Sequence, residues 1–480
     1  MNHSTSTRCG GKKLLSTALA LVLLVSAMAL VLTGCAGSST ILPKESLMPV
    51  YNTEKEKTMF IANGSLLEDT VSDEVEIVSA SLSGDIQVLL SENGALYLYY
   101  DETVTQIKKK NIESALVSAD GKTFAYVNSK DELYLYNVKD EEAVKIAENF
   151  AGDYCLSPDG KSILYTAETD DGVTMFLYLN EESTKIGRGL KPYGLSNDAD
   201  YIYYENIGKK MTYAHKNGED AYCLLKKGDL FYRFNADNTQ ILFSADGEDY
   251  YISVEAGKKT KISDQGLTDF GNGEQLGIQA TNQTLPIESF AEQVILTEEA
   301  LLYINKDFEV SEIEKDVDSY MTSISGDVVY FTNDDGALYC GKSDGEEFEK
   351  VAKSVESYAV TPDGKACYYI DGKENLYYAK GTDEAVKIAK KAYFVTVTQD
   401  GYALFLTDLN EETYSGTLNS AKKDKVTEDV LKDVTVVSCT ADGLAYAVSA
   451  DMEKEELDLY VATKKDKFEA LLEKFPFPNN

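Results

Sequence analysis

The chain has 480 residues and a formal net charge of −35, with 81 acidic side chains against 46 basic ones. Acidity of this size opposes contact with phosphate backbones and anionic head groups, so nucleic acid is excluded as an expected partner. Beyond Cys35 the only histidine is His215 and the only arginines are Arg188 and Arg233, which removes histidine-based zinc sites, serine–histidine pairs and most bidentate phosphate forks.

Residues 1–35 read as an export signal: Arg8, Lys12 and Lys13 precede an apolar run, Leu14 to Leu32, that ends in Leu32-Thr33-Gly34-Cys35. This ending resembles the lipobox of bacterial lipoproteins. The resemblance implies that Cys35 is lipidated and that the rest of the chain sits on the extracytoplasmic face of the bacterial cell membrane. The run is also near the ~20 apolar residues that span a bilayer, so an uncleaved N-terminal anchor helix stays open. Residues 36–57, with Ser38, Ser39, Pro43 and Pro49, read as a flexible tether.

From there the chain repeats itself. The unit is clearest from Ala151 to Gly189: Tyr154-Cys155-Leu156, then the turn Ser157-Pro158-Asp159-Gly160-Lys161, then Ile163-Leu164-Tyr165, Met175 to Leu179 and Thr184-Lys185-Ile186. These are four strand candidates joined by tight turns. Residues aligned with Ser157 recur at Ser83, Ser118, Ser196, Asn235, about Phe270, Ser325, Thr361, Thr398 and Thr440, mostly 35 to 42 residues apart. The third strand recurs as Leu96-Tyr97-Leu98-Tyr99, Leu133-Tyr134-Leu135-Tyr136 and Leu376-Tyr377-Tyr378, and Glu142 to Ala147 reappears letter for letter as Glu384 to Ala389.

Four short strands per ~40 residues with no helical period is the signature of a β-propeller blade. With Ser157 to Lys161 and Thr361 to Lys365 as the best matches, the sequence resembles the TolB-type, WD-repeat-like propeller family over roughly residues 60–465. The expected fold is therefore all-β, a propeller of about ten four-stranded repeats after the N-terminal signal or anchor helix. Two five-bladed rings, 58–265 and 266–475, or one large ring both fit that count. Thr58 to Ala62 is expected to complete the terminal blade. The 55-residue interval from Phe270 to Ser325 marks an insertion, and Gln279 to Ala291 reads as its polar surface loop. Phe468, Leu471, Leu472 and Phe475 follow helical spacing and predict a short C-terminal amphipathic helix, with a fourth blade strand as the alternative.

Motifs of chemistry are sparse. Gly121-Lys122-Thr123 and Gly160-Lys161-Ser162 mimic the tail of a phosphate loop, but the required earlier glycine is replaced by Leu116 and Cys155. The acidic turns 169–172, 198–200 and 333–336 lack a complete calcium loop and read as turn chemistry. No CxxC occurs, and Cys155, Cys223, Cys340, Cys367 and Cys439 read as unpaired, most of them small core residues. No cofactor, metal or catalytic residue is assigned, and the binding residues stay unknown. The expected function is a non-catalytic, membrane-tethered propeller that binds a protein, peptide or other envelope component. The alternative is a glycan hydrolase or lyase using paired carboxylates in the propeller pore.

Overall fold

The structure is a computed structural model; it describes residues 43–476 apart from 217–218, 246–248, 256–257, 265–266, 271–286, 346, 411–412, 440–442, 452 and 465–466. The export signal and Cys35 lie outside the described residues, as do the anchor Thr440 and most of the expected insertion loop.

Among the described residues the chain is all-β, an array of antiparallel sheets consistent with propeller blades. The repeat at 151–189 folds as the sequence implies, into strands Phe150–Leu156, Ile163–Ala167, Thr174–Leu179 and Glu182–Arg188, hydrogen-bonded in that order. Numbering the sheets along the chain, unit 1 has three strands (47–71) and units 2 to 9 have four each: 75–108, 112–147, 150–188, 190–225, 230–263, 267–315, 317–352 and 355–390. The last sheet has seven strands because one long strand, Lys425–Cys439, belongs to two units. Its first part pairs with Ser415–Lys422 and closes unit 10, while Val434 to Cys439 pairs with Ala445–Asp451 and opens unit 11.

The sheets pack face to face in chain order. Phe124 and Tyr126 of unit 3 lie in one apolar cluster with Val88, Leu96 and Leu98 of unit 2, and each further pair of neighbours has its own cluster. Packing does not break at 265–266: Leu242, Ile252 and Ile262 of unit 6 share a cluster with Ile295 and Ile304 of unit 7. The order also closes, since Met48, Val50 and Ile61 of unit 1 pack with Tyr446, Leu459, Leu472 and Phe475 of unit 11. Tyrosine fills these interfaces, with Tyr99, Tyr126, Tyr320, Tyr330 and Tyr368 among the largest fully buried side chains. First strands of successive units, such as Phe150–Leu156 and Leu190–Leu195, lie against one another, which places them at the inner end of each sheet.

Four expectations are corrected. Residues 467–476 form the fourth strand of the last unit, Lys467–Pro476, which was the alternative reading, and not the helix, because Leu472 and Phe475 are drawn into the interface with unit 1. The segment read as tether already contains the strand Leu47–Asn52, whose Leu47, Met48 and Val50 are buried. Pro49 is tolerated there because this strand pairs on one side with Lys57–Ala62 and forms the edge of its sheet. Thr58 to Ala62 is a strand, as expected, but it lies in the sheet of unit 1, and Ile61 packs on the terminal blade. The described end of the insertion is also not a surface loop. Ile287 and Phe290 are fully buried against unit 6, and the Ala236 amide donates to the Ile287 carbonyl at 2.8 Å.

Candidate functional site

The repeated turn is a structural lock. In unit 4 the Gly160 amide donates to the Ser157 carbonyl at 2.9 Å, and the Ser157 hydroxyl accepts from the Ser162 amide at 3.0 Å and donates to Asp159 at 2.7 Å. The same pattern holds at Ser118 and Thr361. It corrects two anchors by two residues: Ser81 and Ser323 occupy the position, not Ser83 and Ser325, because the amides of Gly84 and Gly326 return to their carbonyls. Each lock also grips its neighbour, as the Asp120 amide donates to the Pro158 carbonyl at 3.0 Å and the Leu82 amide to the Ala119 carbonyl at 2.9 Å. Burial pushes the carboxyls of Asp120 and Asp159 upward, but hydrogen bonds from lysine, serine and backbone outweigh it and hold both below their ordinary value. Lys122 pairs with Asp120 at 2.6 Å, and Lys161 bridges Asp159 and Asp198 at 3.1 and 2.8 Å. These lysines are therefore committed to the turns, which leaves the phosphate-loop mimicry without a structural counterpart.

The opposite end of the first strands behaves differently. There the register slips in unit after unit: between Ile112 and Ser114, Phe150 and Tyr154, Pro192 and Gly194, Phe231 and Arg233, Val317 and Ser319, and Val355 and Ser357. A bulge turns extra side chains out of the ladder. Five residues before the anchor the side-chain position is exposed in each of eight units: Glu76, Glu113, Gly152, Lys191, Leu230, Asp318, Glu356 and Tyr393. The result is a rim of unlike residues on like backbones. Lys191 faces Asp153 of the preceding unit at 3.5 Å, and the Tyr193 hydroxyl donates to Glu205 at 3.1 Å. Beside them the rings of Tyr193 and Phe231 lie 6.1 Å apart, and Phe231 leans on Phe234 at 4.8 Å. Chemically the rim offers carboxylates, one paired lysine and exposed aromatic faces, which suits noncovalent recognition. Sequence reading missed it; stepping back five residues from each correctly placed anchor would have found it.

Other candidates are placed as follows. Among the described residues no group of three or more His, Cys, Asp or Glu side chains is arranged to hold a metal ion. In the acidic turns, Arg188 donates to the Asp171 carbonyl and Asn333 accepts from the Ala337 amide. His215 lies on the third strand of unit 5, Met211–Lys216. The five cysteines are free; Cys367 and Cys439 are buried, and burial pushes the Cys439 thiol up to about 12, whereas Cys223 is exposed, unlike the core role expected for it. The lipidation candidate Cys35 lies outside the described residues.

No protein-family model and no curated protein matches the chain. Solved structures do show likeness. The chain is similar to the tricorn protease at 12% identity and TM-score 0.29, covering 80% of this chain and 49% of that one, so it spans about half of the protease. It is similar to a TolB from Agrobacterium tumefaciens at 16% identity and TM-score 0.29, over 45% of this chain and 88% of that one. The β-propeller domain of the trilobed protease from Pyrococcus furiosus matches at 16% identity and TM-score 0.31, over 66% and 98%. At these identities and TM-scores the likenesses carry nothing about activity or partner.

Proposed function

We propose that the chain is a non-catalytic β-propeller of one closed ring, lipid-anchored through Cys35 outside the cytoplasm, that binds a protein, peptide or other envelope component at the rim of its first strands. The observation that carries this reading is the rim itself: eight units share a backbone and lock, yet at one exposed level they carry three glutamates, an aspartate, a lysine, a leucine, a tyrosine and a glycine. Conformity at one end of the strand and variety at the other is the pattern of a scaffold presenting a recognition surface. The single-ring reading draws support from the unbroken cluster at units 6 and 7 and from the packing of unit 1 on unit 11. Among the described residues the resolved carboxyl shifts are downward, at Asp120, Glu132, Asp159, Asp363, Asp371 and Asp451. A carboxylic acid that protonates a glycosidic oxygen needs the reverse, so the hydrolase reading has no observation in its favour.

The test is site-specific photo-cross-linking in membranes. A photoreactive residue at position 191 or 356 is expected to capture one discrete partner, and the same residue at the outward positions 142 or 312 is not. Equal capture from both sets, or none from the rim, would sink the reading. The anchor is checked separately: Cys35→Ser is expected to abolish fatty-acid labelling and release the protein from the membrane fraction.

A further inference from the structure

Residues 43–46 are a strap laid across the anchor turn of unit 2. The amides of Lys44 and Glu45 donate to the Ser83 carbonyl at 2.8 and 3.1 Å, and the Tyr99 hydroxyl donates to the Glu45 carboxylate at 3.2 Å. Gly84, with φ +77°, has no room for a Cβ beside the Glu45 carbonyl, so strap and turn meet backbone to backbone. Unit 1 holds the strap from its other end: the Ser46 amide donates to Asn63 Oδ1 at 3.1 Å, and the Asn63 amide donates to the Ser46 carbonyl at 3.1 Å. Lys44 and Glu45 use the Ser83 carbonyl much as Leu82 uses that of Ala119 and Asp120 that of Pro158. The strap therefore lies at the level of the anchor locks.

The rim lies at the opposite end of the first strands, five residues before each anchor, a rise of about 17 Å. Only seven residues, 36–42, separate Cys35 from Pro43. Eight fully extended links reach about 26–29 Å, and a coil of that length averages about 16 Å. Doubling back along the first strands to the rim level would consume more than half of the extended reach, whereas the anchor-turn level is already at the tether's end. We propose that the chain stands on its membrane with the anchor turns toward the lipid and the rim turned away from it. The rim then takes a water-exposed protein or peptide that approaches from the far side, and not lipid head groups or the membrane-embedded part of a neighbour. The inference rests on the anchor at Cys35 and the binding rim proposed above, and it fixes the side from which the partner comes.

The experiment uses the full chain purified from bacterial membranes and added to preformed vesicles of phosphatidylethanolamine and phosphatidylglycerol that carry an acceptor dye on a fraction of the head groups. A fluorescent amino acid is placed at position 122 or 113 of unit 3, or at position 365 or 356 of unit 9, so that each unit supplies one turn-level and one rim-level donor and any tilt of the ring is read separately from its orientation. Lys122 and Lys365 are exposed, as are Glu113 and Glu356. Energy transfer to the lipid is expected to be stronger from 122 than from 113 and from 365 than from 356. Twenty Gly and Ser residues inserted after Ser39 raise the average reach from about 16 to about 29 Å and should shrink both differences. Unaltered far-ultraviolet circular dichroism checks that each variant is folded. Stronger transfer from 113 and 356, or equal transfer from both levels, would overturn the proposal. If the chain floats with the vesicles and Cys35→Ser does not, yet the order of transfer is reversed or level, the orientation falls and the anchor stands. If both float alike, or neither does, the anchor itself falls and the orientation with it.

Discussion

The interlocking of turns makes Gly160→Ala a severe substitution in a position that looks like ordinary loop. Gly160 has φ +69°, and an added Cβ would lie 2.0 Å from Thr123 Oγ1 and 3.0 Å from Ser118 Cβ in the neighbouring unit. The left-handed conformation alone costs a side-chain-bearing residue roughly 1–2 kcal/mol. The contact adds overpacking of about 1–3 kcal/mol, since Thr123 Oγ1 is held by its hydrogen bond to the Gly160 carbonyl and cannot turn away freely. The expected total is about 3–4 kcal/mol. Gly172→Ala is the control: φ is +98° and no atom lies within 4 Å of the added Cβ, so only the conformational part applies. Urea unfolding followed by tyrosine fluorescence and far-ultraviolet circular dichroism reads both, the chain having no tryptophan. In a Thr123→Ala background the Gly160→Ala penalty should fall by at least about 1 kcal/mol, a coupling that a double-mutant cycle isolates. Equal costs for the two glycines, or additivity with Thr123→Ala, would show that the turns do not press on one another.

The anchor hydroxyl should matter more than the residue that carries it. Ser118→Ala leaves the Thr123 amide without its side-chain acceptor and is expected to cost about 1–3 kcal/mol in urea unfolding, while Ser118→Thr should cost less than 1 kcal/mol because Thr361 already does the same work elsewhere. Ser354 and Lys391 enter their first strands with φ of +53°, so Ser354→Gly and Lys391→Gly should each stabilise by about 0.5–1 kcal/mol, visible as a raised urea midpoint. Phe290→Ala, in a stretch whose neighbours suggest a loop, should cost about 3–5 kcal/mol because Phe290 is fully buried between units 6 and 7. Glu132 is held down to about 2, first by the Lys145 ammonium at 2.6 Å and then by Asn128 and Tyr134. Its contribution is therefore present above the ordinary carboxylate range and is lost as pH falls toward about 2. Carboxyl titration by NMR should place the Glu132 midpoint near that value and return it to the ordinary range in Lys145→Met.

Much of the blade could be read from sequence because its constraints are local. The letter-for-letter recurrence of 142–147 at 384–389 has a physical cause: Lys145 lies over Tyr134 at 6.0 Å and bonds Glu132, while Lys387 lies over Tyr377 at 5.3 Å and bonds Asn375. The strand at 467–476 was misread because three register shifts in its pairing with Glu456–Lys464 break the alternation of buried and exposed residues, leaving apolar positions at helical spacing. Anchors near Ser83 and Ser325 slipped because each turn offers two serines two residues apart, and only the return bond from the glycine three positions on tells them apart. The rim was hidden for a different reason. Its residues share exposure and backbone geometry but only in part a residue type, glutamate at 76, 113 and 356, so no single letter marks them.

The same contrast separates two kinds of position in a chain built of copies. A residue in the anchor turn answers to two units at once, as Gly160 does to Ser157 and Thr123, so substitution there damages the joint as well as the blade. A residue at the rim makes looser contacts, such as the 3.5 Å pair of Lys191 with Asp153 of the preceding unit, and is freer to differ. Closure follows a similar economy. Among the described residues unit 1 joins unit 11 with no shared ladder, its strands forming a separate sheet whose contact is the apolar cluster of Met48, Val50 and Ile61 with Leu459, Leu472 and Phe475. Each such side chain contributes about 1.5–3 kcal/mol on burial, so several together hold the joint without strand exchange. Face packing tolerates small sliding between units 1 and 11 that a hydrogen-bonded ladder would forbid.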